Sequence, residues 1–185
     1  MSAASSFFVR WRVRLGYPLA IAVVYFSRPT PRSILFGGLV GIGGLCVRAY
    51  AAGYLHKQEL LTVTGPYAYT RNPLYLGSAI LALGAAIAMR SWISALLLIA
   101  YFAVFYSIVM QREANELHIR HGAPFEEYAR IVPLFIPRLT AEKLPGDSTG
   151  AFSFVQYKKN HEWQAAAGFL FLILVLLVRW RLRLH

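Results

Sequence analysis

Between residues 73 and 110 the chain carries a single charged side chain, Arg90. A continuous helix over that stretch would be about 57 Å long at about 1.5 Å per residue. The hydrocarbon core of a bilayer is only about 30 Å thick. The stretch must therefore fold back on itself, and Arg90-Ser91 is its polar break. The pattern predicts helices over 73–89 and 91–110 joined by a tight turn, with Ser91 as the cap of the second. Hydrophobic residues make up 57% of the 185 positions and charged residues 15%, against about 45–50% and about 25% in soluble domains. A soluble domain of this size cannot bury that excess, and the same figures exclude intrinsic disorder. The expected fold class is an all-α integral membrane protein.

Three further spans are expected. Residues 15–27 are apolar but short, with Arg10, Arg12 and Arg14 before them and Arg28 after them. They read as a retained first span, extended by Trp11 and by snorkelling arginine stems. Residues 33–55 are rich in glycine, and Gly37-x-x-x-Gly41 matches a spacing that lets membrane helices approach closely. Residues 163–179 lie between Trp163 and Trp180, which suit interfacial anchors. The expected organisation is a core over 1–138, a linker and interfacial segment over 139–162 with a turn at Pro145-Gly146-Asp147, and a C-terminal transmembrane helix over 163–185.

Nineteen Lys and Arg against eight Asp and Glu give a net charge of +11. The basic residues flank apolar runs, so membrane lipids rather than nucleic acid are the expected partners. Twelve of them fall on the N-terminal segment and the connections 56–72 and 111–162; six fall on the opposite ends. The positive-inside rule predicts a multi-pass protein with a cytosolic N-terminus and both long connections in the cytosol. Cys46 is the only cysteine, which excludes an internal disulfide and a thiolate metal site; it reads as a small buried packing residue.

Two segments look chemical. In 62–77, TVTGPYAYTRNPLYLG, Pro66 pushes Gly65 toward a turn. Asn72 then caps a helix with Pro73 at its first position. Free amides at that helix start can hold an anion, and Tyr67, Tyr69 and Tyr75 offer faces to a cation. In the second segment a membrane helix runs on into QREANELHIRHG until Gly122 and Pro124 end it. Glu116 pairs by spacing with Arg112 and Arg120 and reads as a solvated face. Glu113 lies nearer the membrane and is the better functional candidate. Pro133 and Pro137 then force extended chain. Arg48 lies inside the second span, either snorkelling or lining a polar cavity. His118-x-x-His121 is too sparse for a metal site, and none is expected.

In this order, the two segments resemble the isoprenylcysteine carboxyl methyltransferase and phospholipid methyltransferase superfamily. Gly65-Pro66-Tyr67, Tyr69, Arg71, Pro73, Tyr75 and Gly77 match its first motif. Glu113, Leu117, Gly122, Tyr128, Val132-Pro133 and Pro137 match its second, and the likeness covers roughly 60–138. The chain departs at Asn72, where the family usually has His, and at Ala114, His121 and Phe125. Glu113 is thus the only matched acid. The resemblance implies S-adenosylmethionine in a cytosolic-side pocket formed by the hairpin and the segment after it. It also implies methyl transfer to a lipid-borne or prenylated acceptor, a carboxylate or an amine. Gly65, Pro66, Tyr67, Tyr69, Arg71, Asn72, Pro73, Tyr75, Leu76 and Gly77 would then serve the cofactor. Glu113 and Arg112 would be catalytic, and Arg48 and Tyr128 would meet the substrate. Two alternatives stay open: a nicotinamide-dependent membrane sterol reductase, and a non-catalytic binding protein that retains the fold.

Overall fold

The computed structural model describes residues 3–55, 61–141 and 150–182, with side chains from residue 14 onward. Lys57, Lys143, Arg183 and the turn expected at Pro145-Gly146-Asp147 lie outside the described residues, as do the side chains of Arg10 and Arg12. The described residues form seven α-helices and no strand: α1 (Ala3–Phe26), α2 (Pro31–Tyr54), α3 (Pro73–Met89), α4 (Trp92–His121), α5 (Ala123–Ile131), α6 (Phe154–Lys159) and α7 (Trp163–Leu182). The all-α membrane class is as expected. Helices α2, α4 and α7 are long and apolar enough to cross a bilayer, whereas Arg14–Phe26 and α3 are shorter apolar helices. The first helix starts well before the expected 15–27, because it runs back through the arginine-rich turns to Ala3. Arginine is a good helix former, so leaving the lipid does not end the helix.

The hairpin forms where the charge pattern demands. Arg90 turns the chain with φ 48° and ψ 47°, and the Ser91 side chain accepts from the Ser94 amide. Helix α4 then continues for 30 residues, out of the apolar stretch and into polar sequence. Gly122 ends it at φ 57°, a conformation that costs a side chain but not glycine.

The tightest packing in the fold is between α2 and α3. A Cβ at Gly37 would stand 2.4 Å from the Gly84 carbonyl oxygen, and one at Gly44 would stand 2.7 Å from that of Gly77. The two backbones therefore touch, as the glycine spacing suggested. Ser33 closes the seam at its hairpin-turn end by donating to the Ala88 carbonyl at 3.0 Å, and it completes a capping box with Thr30. Phe169 of α7 fills the space above Gly41 and joins Val23, Ile34, Ala88, Met89 and Leu176 in the bundle core. Cys46 is exposed rather than buried. Gly37, Gly41, Gly44 and Arg48 lie on the packed face of α2, and Cys46 falls on another face.

Candidate active site

The two motif segments meet. The 3₁₀ turn Gly65–Ala68 precedes α3, and Gly65 adopts φ 58° against the Tyr54 ring, where a Cβ would stand 2.6 Å from a ring carbon. The stretch 67–72 is then laced to 128–138. Tyr128 donates its hydroxyl to the Tyr67 carbonyl at 2.8 Å. The Arg71 amide donates to Pro133 and the Arg138 amide to Tyr69, both at 2.9 Å, and the Thr70 hydroxyl donates to Phe135 at 3.0 Å. Residues 132–138 lie outside any helix, and Pro133 and Pro137 cannot continue one, so the carbonyls here are free to accept. Phe125, Tyr128 and Val132 of this region form a second small core under Leu61, Val63 and Leu117.

Asn72 sits at the cap position of α3, yet its side chain makes no cap hydrogen bond. Its amide donates instead to the Leu134 carbonyl at 2.9 Å. The expected capping role is therefore corrected. Asn72 is a buried cross-tie, and its loss would leave the Leu134 carbonyl short of a donor rather than uncap the helix.

Above this lacing lies a cavity of about 860 Å³, within the range of about 300–1,000 Å³ typical of small-molecule sites. Arg48, Tyr67, Arg71, Asn72, Pro73, Tyr75, Glu113 and Tyr128 all line it. Gly65, Pro66, Tyr69, Leu76, Gly77 and Arg112 do not. Gly65 and Pro66 shape the turn, and Tyr69 is exposed. Leu76 lies in the first turn of α3 with its amide bonded to Asn72, and Gly77 belongs to the α2 seam. Arg112 turns to Glu116, with which it pairs at 2.7 Å.

Across the cavity Tyr75 donates its hydroxyl to Glu113 Oε1 at 2.5 Å, and its ring meets Tyr106 edge-on at a centroid distance of 5.3 Å. Arg71 reaches under the wall, 5.9 Å from the centre of the Phe125 ring. Its Nε is buried and has no hydrogen-bond partner among the described residues. Burial pulls the Arg71 guanidinium below its ordinary range, and Tyr128 opposes that shift. Burial likewise raises the Tyr67 hydroxyl well above its ordinary value, with Tyr128, Glu113 and Glu162 adding to it. Tyr128 is raised by burial too, and Arg71 opposes the rise. Both phenols are neutral donors at any physiological pH.

Several lining residues were not legible in advance. Glu162 forms a bidentate pair with Arg48, Nε to Oε2 and Nη2 to Oε1, both at 2.9 Å. Arg48 also donates to the Leu74 carbonyl at 3.3 Å and to the Ser78 hydroxyl. It therefore lines the cavity as a fixed ion pair rather than snorkelling. Asn160 anchors the chain beside Glu162 by donating to the Ala52 carbonyl at 2.8 Å and the Leu55 carbonyl at 3.1 Å. The interfacial segment thus forms part of the cavity wall. Glu116, read as a solvated face, also lines the cavity while paired with Arg112. Tyr101 and Tyr106 join it from the apolar part of α4. One available signal was that an arginine inside a span calls for an acid at matching depth, and Glu162 directly precedes the last span.

A profile of the phospholipid methyltransferase family matches residues 45–121, from the C-terminal part of α2 through the hairpin to the end of α4. The cobalt-zinc-cadmium resistance protein CzcN of Cupriavidus metallidurans is 30% identical over 159 residues, covering 81% of this chain and 71% of that protein. The chain belongs to the phospholipid methyltransferase family. A nickel-cobalt-cadmium resistance protein of Alcaligenes xylosoxydans is also 30% identical, over 75% of this chain and 70% of its own length. The protein-S-isoprenylcysteine O-methyltransferase of Schizosaccharomyces pombe is 35% identical over 82 residues, 44% of this chain and 35% of that one. No solved structure matches. This phospholipid methyltransferase relative is thus a membrane protein of a methyltransferase family. The family match contains Arg48, Arg71, Tyr75 and Glu113, whereas Phe125, Tyr128 and Asn160–Glu162 complete the cavity from beyond it.

Proposed function

We propose that this chain transfers a methyl group from S-adenosylmethionine to a lipid-borne or prenylated acceptor, an amine or a carboxylate, at the cytosolic membrane interface. The observation that carries this is the convergence of both motifs on one cavity, with Tyr75 and Glu113 in hydrogen-bond contact across it. The cofactor suits the residues present. The buried Nε of Arg71 is a donor in want of an acceptor, which an amino-acid carboxylate supplies. The faces of Tyr67, Tyr75 and Tyr106 attract a sulfonium. When bound, S-adenosylmethionine supplies a methyl carbon already activated for displacement.

The chain's own work is positioning and proton removal. Tyr75 donates to Oε1 of Glu113 and so orients the carboxylate, which would accept the proton that an ammonium acceptor must lose. A carboxylate acceptor arrives ionised and needs no base. The Arg48–Glu162 pair fixes the wall beside α3 without adding net charge. The basic-residue asymmetry supports five crossings with the N-terminus in the cytosol, which opens the cavity to a soluble cofactor. Binding is the direct test. Calorimetry in nanodiscs should give a micromolar dissociation constant, about −8 kcal/mol. Absence of binding at millimolar S-adenosylmethionine, with the protein still folded, would refute the proposal.

A further inference from the structure

At the other end of α3 a second cavity, about 640 Å³, opens between α3 and α4. Its α3 wall combines Ala79, Ala82 and Ala86 with Leu83 and Ile87, and Phe102 stands on α4 at the end away from the hairpin turn. Arg90, Ser91 and Trp92 form its mouth at the hairpin turn. From Ala79 to Arg90 is about 16 Å of helix, close to half of the about 30 Å hydrocarbon thickness. The groove is therefore one leaflet deep. Trp92 is 92% exposed at its mouth, at the level where tryptophan marks the headgroup boundary.

Charge identifies the headgroup. The described acids Glu113, Glu116 and Glu162 line the first cavity, and Glu126 and Glu127 belong to α5 beside it. At the hairpin end the described charges are all arginines. The Arg28 amide bonds to Met89, and Arg179 donates to the Ser27 and Tyr25 carbonyls. Arg90 stands at the groove itself. An apolar slot one leaflet deep, with an arginine at its mouth and no acid near it among the described residues, matches one ligand class.

The geometry points to a binding site for an anionic glycerophospholipid, with an acyl chain between α3 and α4 and its phosphate on Arg90. This lipid lies at the opposite end of α3 from Glu113, so it is not the methyl acceptor. It fills the side of α3 that α4 leaves open.

Native mass spectrometry of the detergent-solubilised full chain tests this, with phosphatidylglycerol and phosphatidylcholine of identical chains. One phosphatidylglycerol should be retained about fivefold over phosphatidylcholine, the preference expected from one arginine at an anionic headgroup. Arg90→Gln should bring the two lipids to parity, and Arg90→Lys should keep the preference. Ala82→Leu with Ala86→Leu should lower retention of both lipids by filling the slot. An unchanged preference in Arg90→Gln would overturn the proposal, as would unchanged retention in the double leucine variant. Chain-free glycerophosphoglycerol competing as well as the lipid would also overturn it, leaving only an anion site. Should Arg90→Gln not fold, parity of the two lipids on the unmodified protein gives the same refutation.

Discussion

Against α2, helix α3 meets backbone directly at Gly84, where a Cβ would stand 2.5 Å from the Gly41 nitrogen, and at Gly77 a Cβ would meet the Gly44 carbonyl oxygen and the Arg48 stem, at 2.8 and 2.6 Å. Against α4, its sequence neighbour, it leaves a groove of about 640 Å³ and meets it at the far end through Tyr75, Tyr106 and Glu113. Chain connectivity makes α3 and α4 a hairpin, but residue size decides which pair packs. Glycine allows carbonyl and Cα groups to touch, and in lipid such close contact rather than hydrophobic exclusion holds helices together. The open side is left for ligands and the closed side for rigidity.

The largest expected effect is at the point where the open side is pinned. Glu113→Gln keeps a hydrogen-bond acceptor for Tyr75 but removes the carboxylate proposed as the base. With an amine acceptor, turnover should fall by about 10²–10⁴, while cofactor affinity measured by calorimetry changes little. With a carboxylate acceptor the loss should be smaller and independent of pH. Next comes the wall beside the seam. Glu162→Gln leaves the Arg48 charge without its counterion, while Leu74 and Ser78 still accept from it. Denaturant titration should show a loss of about 2–3 kcal/mol, below the about 3–5 kcal/mol of a fully buried pair. The comparison is sharpest between two small-to-larger changes on the same helix. Gly84→Val should cost about 1–3 kcal/mol or prevent folding, because its new atoms meet backbone. Ala86→Val, in the groove, should stay within about 0.5 kcal/mol.

The smallest effect is in alkali. Tyr67 and Tyr128 have folded pKa values raised above the ordinary tyrosine range by burial. Their contribution is fully present below the unfolded value of about 10 and is lost as pH rises toward the folded values. Phenolate absorbance of the native protein should show two tyrosines that stay protonated after the exposed ones ionise. Stability should decline from about pH 10 upward.

Local signals were legible wherever a residue acts on its own backbone. Arg90-Ser91 marks the turn, Gly122 stops α4, and Pro133 and Pro137 keep the chain after α5 out of helix, because each limits φ or caps a helix regardless of its surroundings. The glycine seam was legible for the same reason. Direction was not: Arg112 and Glu113 are adjacent, yet only one faces the cavity, and the turn of α4 relative to α3 settles which. Asn72 looked like a cap because the rule is local, while its actual partner is the Leu134 carbonyl in the segment after α5. Glu162 lies 114 residues from Arg48 along the chain, and only the need of a membrane arginine for an acid at matching depth pointed to it. Cys46 shows the limit of apolarity as a guide, because in a membrane an apolar residue can face lipid as readily as core.

The Arg48–Glu162 pair also has a history in time. Its two partners are 114 residues apart, so at about 5–20 residues per second of synthesis they emerge about 6–23 s apart. Leu74 and Ser78 follow Arg48 by only 26 and 30 residues. The nascent cation is therefore met first by α3 and only much later by its carboxylate. A chain that stops short of residue 162 offers Arg48 the Leu74 carbonyl and the Ser78 hydroxyl but no carboxylate.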